Sequence, residues 1–308
     1  MSVWVTGGNG FIGRHLILAL AGAGEVVAGL GHGAIDETDR QRLGLSNWIN
    51  GEIDAPNLDA LATRHGAPTA VFHLAGGSTV GRSIEQPYED FNRTVVATAR
   101  LLEWLRHTAP SCRLVVASSA AVYGAHHSGP IAEDADKQPM SPYGFHKLLM
   151  EQLCQSYAIS FGLRATIVRL FSVYGPSLRK QLLWDLCLRL KGGQQQLVLG
   201  GTGREARDWI DVRDAVRLLA VAANDDGQQF VCLNGGSGVA TTVADIAGMV
   251  TKAWGGGIEL RFSGDARPGD PFSLVADERR VAALPFRWSI PVEDGIKDYV
   301  DWFKGQSY

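Results

Sequence analysis

Ser2-Val3-Trp4-Val5-Thr6-Gly7-Gly8-Asn9-Gly10-Phe11-Ile12-Gly13 is the stretch whose reading decides the fold. Ser2 to Thr6 is short and rich in β-formers, and from His15 to Ala23 apolar residues recur at helical spacing. Glycines at 7, 10 and 13 lie between them, so the segment reads as strand, tight turn, helix. Gly7 permits the turn, Gly10 lets the backbone approach a pyrophosphate, and Gly13 lets the helix pack closely on the sheet. An anion held there meets the free N–H groups of the helix N-terminus, with Phe11 and Ile12 beside it. Glycine alone says little in a chain with 37 of them, so the position between first strand and first helix carries the reading of a dinucleotide site.

Outward from this turn, Glu25–Leu30, Ala70–Leu74, Arg113–Ala117 and Arg164–Leu170 read as strands. Thr94–His107 and Tyr143–Ile159 read as helices with apolar stripes. Strands alternating with helices of this length give a parallel sheet covered on both faces. The expected fold is α/β, a Rossmann-type doubly wound parallel sheet with a smaller C-terminal substrate-binding lid. The alternation becomes irregular after about residue 170. Helices are expected over Leu178–Lys191, within Asp208–Ala223 from near Val212, and over Val243–Ala253; Phe230–Leu233 reads as a strand and Gly255–Gly257 as a turn. The division expected is an NAD(P)-binding part over 1–175 with returning segments at about 208–235. Residues 176–207 and 236–308 then mainly bind substrate.

Composition narrows the class. In 308 residues, 29 Lys+Arg against 32 Asp+Glu give a net charge of −3, without the basic excess of a nucleic-acid binder. A hydrophobic content of 45% is enough to bury a large core. The four cysteines, Cys112, Cys154, Cys187 and Cys232, form no Cys-x-x-Cys pair, so neither structural zinc nor a redox dithiol is signalled. They read as buried thiols of a reducing compartment. The N-terminus shows no basic leader, and no apolar run of ~18 residues could span a bilayer, so a cytoplasmic protein without membrane contact is expected. His126-His127 lacks further ligands, and no metal site is expected.

At the end of the second strand, Val27 to Gly33 holds no acid before Asp36. An Asp or Glu there holds the ribose hydroxyls of NAD. Its absence removes a repulsion from a 2′-phosphate and leans toward NADP, or dual use of NADP and NAD. Candidate cations are His32, Arg40 and Arg42; alternatively the Gly31-His32-Gly33 backbone simply holds the ribose. Glu52-Ile53-Asp54 can supply a carboxylate to the adenine amino group, or is a solvated turn. Tyr143-Gly144-Phe145-His146-Lys147 places Tyr143 and Lys147 on one helix face. An ammonium beside the phenol favours phenolate and lowers its pKa from about 10. Tyr143 can then exchange a proton with a substrate oxygen while a nicotinamide exchanges the hydride, and Ser119 can hydrogen-bond the same oxygen.

With these residues in hand, the chain resembles the extended short-chain dehydrogenase/reductases of the nucleotide-sugar epimerase, dehydratase and 4-ketoreductase type. The marks run nearly from end to end: Thr6–Gly13, His73-Leu74-Ala75-Gly76, Ser118–Gly124, Ser141-Pro142-Tyr143-Gly144, Arg169–Pro176, Gly201-Thr202-Gly203, Arg207–Val212 and Arg267-Pro268-Gly269-Asp270. The resemblance implies a catalytic Ser119, Tyr143 and Lys147, with Asn92 completing the proton relay or cofactor environment. It implies Glu52-Ile53 at the adenine, Leu74, Ala75 and Gly76 along the cofactor channel, and Arg207 and Arg267 on the substrate diphosphate. It also implies a homodimer built on the helices Thr94–His107 and Tyr143–Ile159.

Three departures bear on the reaction. The acid closing the second strand is missing; Ser172 stands where the family often has asparagine near the substrate; and Ser119 is followed by Ala120, without the Asp-Glu pair of 4,6-dehydratases. Dehydration is therefore disfavoured. Arg179 or Lys180 is a further candidate for the substrate phosphates. The first choice is NAD(P)-dependent reduction of a 4-keto sugar on a nucleotide diphosphate. The alternative is an NAD-dependent C4 epimerase, and the intact Ser-Tyr-Lys set argues against a non-catalytic dinucleotide sensor.

Overall fold

The computed structural model describes residues 2–224, 228–265 and 271–306; Arg267 and the rest of its Arg-Pro-Gly-Asp motif lie outside them. In chain order the first elements are β1 (Ser2–Thr6), α1 (Phe11–Gly22), β2 (Val26–Gly31), α2 (Glu37–Leu43), β3 (Leu45–Asn50), α3 (Ala55–His65) and β4 (Ala70–His73). Next come α4 (Val80–Glu85), α5 (Pro87–Phe91), a π-helical turn (Asn92–Val96), α6 (Ala97–Thr108), β5 (Arg113–Ser119), a 3-10 turn (Ala120–Tyr123), α7 (Pro142–Phe161) and β6 (Arg164–Leu170). Beyond these follow β7 (Ser172–Tyr174), α8 (Gln181–Lys191), β8 (Gln196–Leu199), β9 (Ala206–Asp211), α9 (Val212–Ala222), β10 (Phe230–Gly235) and β11 (Ala240–Thr242). The chain closes with α10 (Val243–Trp254), β12 (Glu259–Phe262), β13 (Ser273–Leu274), α11 (Arg279–Ala282) and α12 (Val292–Lys304).

Seven of these strands form one sheet in the order β3-β2-β1-β4-β5-β6-β10. Every neighbouring pair runs parallel. Strand order reverses between β1 and β4, and ligands of such sheets settle in the crevice outside the strand ends at that point. Successive side chains alternate faces. Val3 and Val5 join one apolar cluster with Leu16 and Ile17 of α1 and Val216 and Leu219 of α9. Trp4 joins the opposite cluster with Leu58 and Leu61 of α3, Leu101 and Leu105 of α6, and Met150 of α7. Burial on both faces explains why β4, β5 and β6 are continuous apolar runs rather than alternating ones.

A third cluster gathers Leu183 and Leu186 of α8, Leu197 of β8, Ile246 and Val250 of α10, and Ile296, Val300 and Phe303 of α12. Beside it β7 pairs with β9, which also pairs with β11 and β13. Late in the chain, β10 adds to the sheet next to β6, and α9 packs against α1.

Several expectations need correction. The helix expected from Thr94 is preceded without a break by α5 and the π turn, and α8 begins at Gln181 rather than Leu178. The chain between Gly175 and Gln181 is irregular, with Ser177 and Gln181 at φ of 78° and 66°. Edge strand β3 and the C-terminal α12 add to the elements expected from the sequence. The cysteines are free thiols, three of them buried and Cys232 half-buried. Among the described residues no helix is long and apolar enough to cross a membrane, and no group of His, Cys, Asp or Glu could hold a metal.

Candidate active site

A cleft of about 760 Å³ opens at the C-terminal ends of β1, β4, β5 and β6. It brings together nearly all the residues singled out in the sequence. Gly7, Gly10, Phe11, Ile12 and Gly13 line it, as do His32, Glu52 and Ile53. Leu74, Ala75 and Gly76 form another part of the wall, and Ser119, Tyr143, Lys147, Ser172 and Arg207 complete it.

The glycine turn is dictated by contacts. Gly7 has φ +69°, and a Cβ there would lie 2.7 Å from the Ala75 backbone nitrogen. A Cβ on Gly13 would run into the Gly7 carbonyl. Gly10 is the N-cap of α1, and it supplies no side-chain hydrogen bond to the first turn, which holds no acid either. By contrast Asp36, Asp54, Thr79, Ser141 and Thr242 cap their helices with side-chain oxygens. The first N–H groups of α1 are thus left to an anion in the cleft. This uncapped turn fits the pyrophosphate of a dinucleotide.

At the ends of β2 and β3, His32 Nε2 lies 3.3 Å from Glu52 Oε1, both side chains more than half exposed. The other two cations considered for a 2′-phosphate are engaged elsewhere. Arg40 bonds Glu37 and the carbonyls of Leu45 and Ser46, and Arg42 pairs with Asp39.

Ser119 ends β5, and Tyr143 and Lys147 occupy the first turns of α7, whose N-terminus is fixed by the Ser141 cap. Tyr143 donates its backbone N–H to Ser83 Oγ at 3.0 Å, which ties α4 to the site. The Ser119 hydroxyl bonds the Tyr143 phenol. Lys147 is buried, donates from Nζ to the Ala117 carbonyl at 2.9 Å, and lies 5.9 Å from the centre of the Tyr143 ring. The expected depression of the tyrosine pKa is not what the site does by itself. Burial pushes the phenol up, and the Ser119 bond only partly opposes it. Burial also pushes Lys147 down to about 8, against the upward pull of the Asp90 and Glu151 carboxylates. The protein therefore presents Tyr143 as a protonated acid at neutral pH, beside an ammonium that still carries charge.

Two residues expected at the site stand elsewhere. Asn92 opens the π turn and is not part of the cleft wall; the widened turn presents Arg93 and Ala97 instead. Arg179 bonds Gln306 Oε1 and lies about 6 Å over the rings of Trp184 and Trp302. These aromatic faces draw the guanidinium away from the cleft. Its neighbour Lys180 lines the cleft, with Nζ 3.2 Å from the Ser78 carbonyl. Arg207 bonds the adjacent Ala206 carbonyl at 2.8 Å.

Sequence reasoning missed the polar support behind this wall. His146 Nδ1 lies 2.5 Å from Asp90 Oδ2. Glu151, one turn beyond Lys147, accepts from Ser118 Oγ and receives a two-pronged grip from Arg169 Nε and Nη2. Arg169 also donates to Tyr123 OH and the Glu133 carbonyl. His73, fully buried, bridges Thr6 Oγ1 at 2.7 Å and Thr98 Oγ1 at 2.9 Å. Burial and the nearby Lys147 hold its pKa down at about 3, so it stays neutral.

Comparison with known proteins places the chain in a family. The sequence model of the NAD dependent epimerase/dehydratase family matches residues 3–232. A UDP-glucose 4-epimerase of Azospirillum brasilense is 32% identical over 301 residues, covering 91% of this chain and 84% of that one. Among solved structures, the UDP-glucose 4-epimerase of Thermotoga maritima, solved with UDP-glucose, superposes with a TM-score of 0.88 at 26% identity. MoeE5 in complex with UDP-glucuronic acid and NAD superposes with a TM-score of 0.86 at 31% identity. Each solved chain is matched over 99% of its length and of this one.

Proposed function

The chain belongs to the NAD dependent epimerase/dehydratase family, and on that premise we propose that it interconverts the C4 stereoisomers of a UDP-linked hexose with retained NAD. The observation that carries the reading is the chemistry of the cleft wall. Among the described lining residues the only carboxylate is Glu52, beside His32; Lys147, Lys180, Arg93 and Arg207 line the cleft as well. Removing water from a sugar needs an acid and a base beyond the tyrosine, and no second proton carrier of that kind lines the cleft there. One phenol suffices for a reaction that takes a proton and gives it back.

The preference thus moves from 4-keto reduction to the alternative weighed beside it. The missing acid at the end of β2 leans toward NADPH, but of the candidate cations for its 2′-phosphate Arg40 and Arg42 are paired with acids. Glu52 further brings a negative charge beside His32, the remaining candidate. Two of the three proteins named above are UDP-glucose 4-epimerases, which supports the same choice.

NAD, when bound, would supply reversible hydride exchange at C4 of the sugar. The residues able to hold it are Gly7, Gly10 and Gly13 with the N–H groups of Phe11 and Ile12, then Glu52-Ile53, Leu74, Ala75 and Gly76. Tyr143 Oη, once ionised beside the Lys147 ammonium, takes the proton of the C4 hydroxyl as C4 is oxidised and restores it on reduction. Ser119 Oγ orients the phenol and the sugar oxygen. The Lys147 ammonium stabilises the phenolate that the transfer needs, which burial alone opposes. Arg207 grips the diphosphate, whose oxygens a guanidinium can bind in pairs; Arg267 is proposed as its partner. In this scheme 176–207 and 236–308 mainly carry the substrate and 1–175 with 208–235 the cofactor. Denaturing the pure protein and weighing the released nicotinamide should give NAD. NMR should show UDP-glucose and UDP-galactose interconverting without net change in nicotinamide absorbance. Consumption of NADPH, mole for mole, with a nucleotide-linked 4-keto sugar would overturn the proposal.

A further inference from the structure

Asp90 is a buried carboxylate, 6% exposed, and the reaction as described gives it no task. It sits on α5 and reaches two structures of the site at once. One oxygen pairs with His146, the residue immediately before Lys147, whose side chain is only 13% exposed. The other lies against the cleft wall: a Cβ on Gly77 would collide with Asp90 Oδ1. One helical turn on, Thr94 Oγ1 accepts from the Gly77 N–H at 2.8 Å. Lys147 Nζ approaches the same loop, 3.3 Å from where a Cβ on Gly76 would stand. Asp90, Thr94, His146 and Lys147 thus converge behind Gly76-Gly77, one layer from the cleft.

We propose that Asp90, held in place by His146, is a positioning residue that fixes the charge state of the Tyr143–Lys147 pair. A carboxylate buried this close to the pair acts through a poorly screened medium. It favours the Lys147 ammonium and disfavours a Tyr143 phenolate, and both effects raise the respective pKa. The other ionisable groups facing the pair leave this role to Asp90. Glu151 acts on Lys147 from the next turn of α7, but it is also gripped by Arg169 and Ser118. His73, at the end of β4, is neutral. On Asp90's own helical segment, Glu89 and Arg93 pair with each other at 2.6 Å. The ring of Phe91 covers His146 edge-on at 5.5 Å, which keeps the Asp90–His146 contact from water. The role rests on Tyr143 and Lys147 being the proton-handling pair.

Asp90→Asn keeps the shape and removes the charge. Lys147 then loses its proton at lower pH, and Tyr143 ionises at lower pH. The two titrate as a coupled unit, so the pH profile of kcat/KM reports macroscopic values. Both limbs should move to lower pH, by on the order of one unit. His146→Gln, which frees Asp90 from its anchor, should move them the same way by less, and it serves if Asp90→Asn fails to fold. A purely structural Asp90 would lower stability or kcat and leave both limbs where they are; that result, or limbs moving to higher pH, overturns the proposal. Failure of the premise is read separately, because near-normal turnover by Tyr143→Phe removes the pair itself and not the contribution of Asp90.

Discussion

Tyr143 and His73 show how burial sets the chemistry of single side chains. Replacing Tyr143 by Phe keeps the ring and removes the exchangeable proton. Turnover should fall by about 100-fold or more, with UDP-sugar binding nearly unchanged by calorimetry, the pattern of an interaction needed mainly in the transition state. His73 makes a prediction about stability. Its pKa is about 3 in the folded protein and 6.5 ordinarily, so below 6.5 the unfolded chain binds a proton that the folded one refuses. The contribution is complete above pH 6.5 and is lost as the pH falls from there toward 3, at up to about 1.4 kcal/mol per pH unit. Urea unfolding at pH 7, 6 and 5 should show this slope in the natural protein and a shallower one in His73→Gln. The residues proposed to handle the proton could be picked out in the sequence because Tyr143 and Lys147 lie four apart on one helix and Ser119 ends a strand. Asp90 and His146 are 56 residues apart, and no local pattern announces their meeting. Arg179 and Lys180 show the same limit: neighbours on an irregular stretch point to opposite sides, and only the rings of Trp184 and Trp302 decide which one leaves the cleft.

At the level of elements, strands and helices whose apolar pattern is strong were readable, and those shaped by partners were not. β4, β5 and β6 are buried on both faces and stand out as apolar runs. Edge strand β3, Leu45-Ser46-Asn47-Trp48-Ile49-Asn50, pairs only with β2 in the sheet and shows no alternation to betray it. The π turn is invisible for a related reason, since nothing in Asn92–Val96 departs from ordinary helical residues. The elements are also pinned by charge. Arg169 of β6 and Glu151 of α7 form an ion pair with side chains 3% and 4% exposed. Arg169→Met should destabilise by about 3–5 kcal/mol in chemical denaturation, because Glu151 is left as an uncompensated buried charge. Replacing both residues with apolar ones of similar size should recover much of that loss. A single variant as stable as the natural protein would show that water reaches Glu151.

On the scale of the whole molecule, three helices that pack on one another carry exposed apolar side chains. Ile84 of α4, Tyr88 of α5, and Phe145, Leu149 and Ile159 of α7 are all exposed large apolar side chains. Scattered apolar residues are ordinary, but helices bearing this many favour association. We expect a homodimer through α5, α6 and α7; light scattering should give twice the chain mass, and Phe145→Glu with Ile159→Glu should give the monomer. A monomeric natural protein would refute this.

The two faces of the sheet differ in when the chain can cover them. The buried residues of the face under α3, α6 and α7 all lie at or before Ile167, with the partly buried Phe230 and Cys232 of β10 added at its edge. The face under α1 also needs Val212, Val216 and Leu219 from α9, and even Phe286. During synthesis, which runs from the N-terminus, the first face can close while the second still waits for chain not yet made. A ribosome paused near residue 175 would therefore present a half-covered sheet, with Val3, Val5, Phe72, Val115 and Val168 facing water beside α1. The first 175 residues are then not a module that could be cut out and kept. Excised at residue 175 it should aggregate, and it should become soluble again when residues 206–235 are supplied in the same chain.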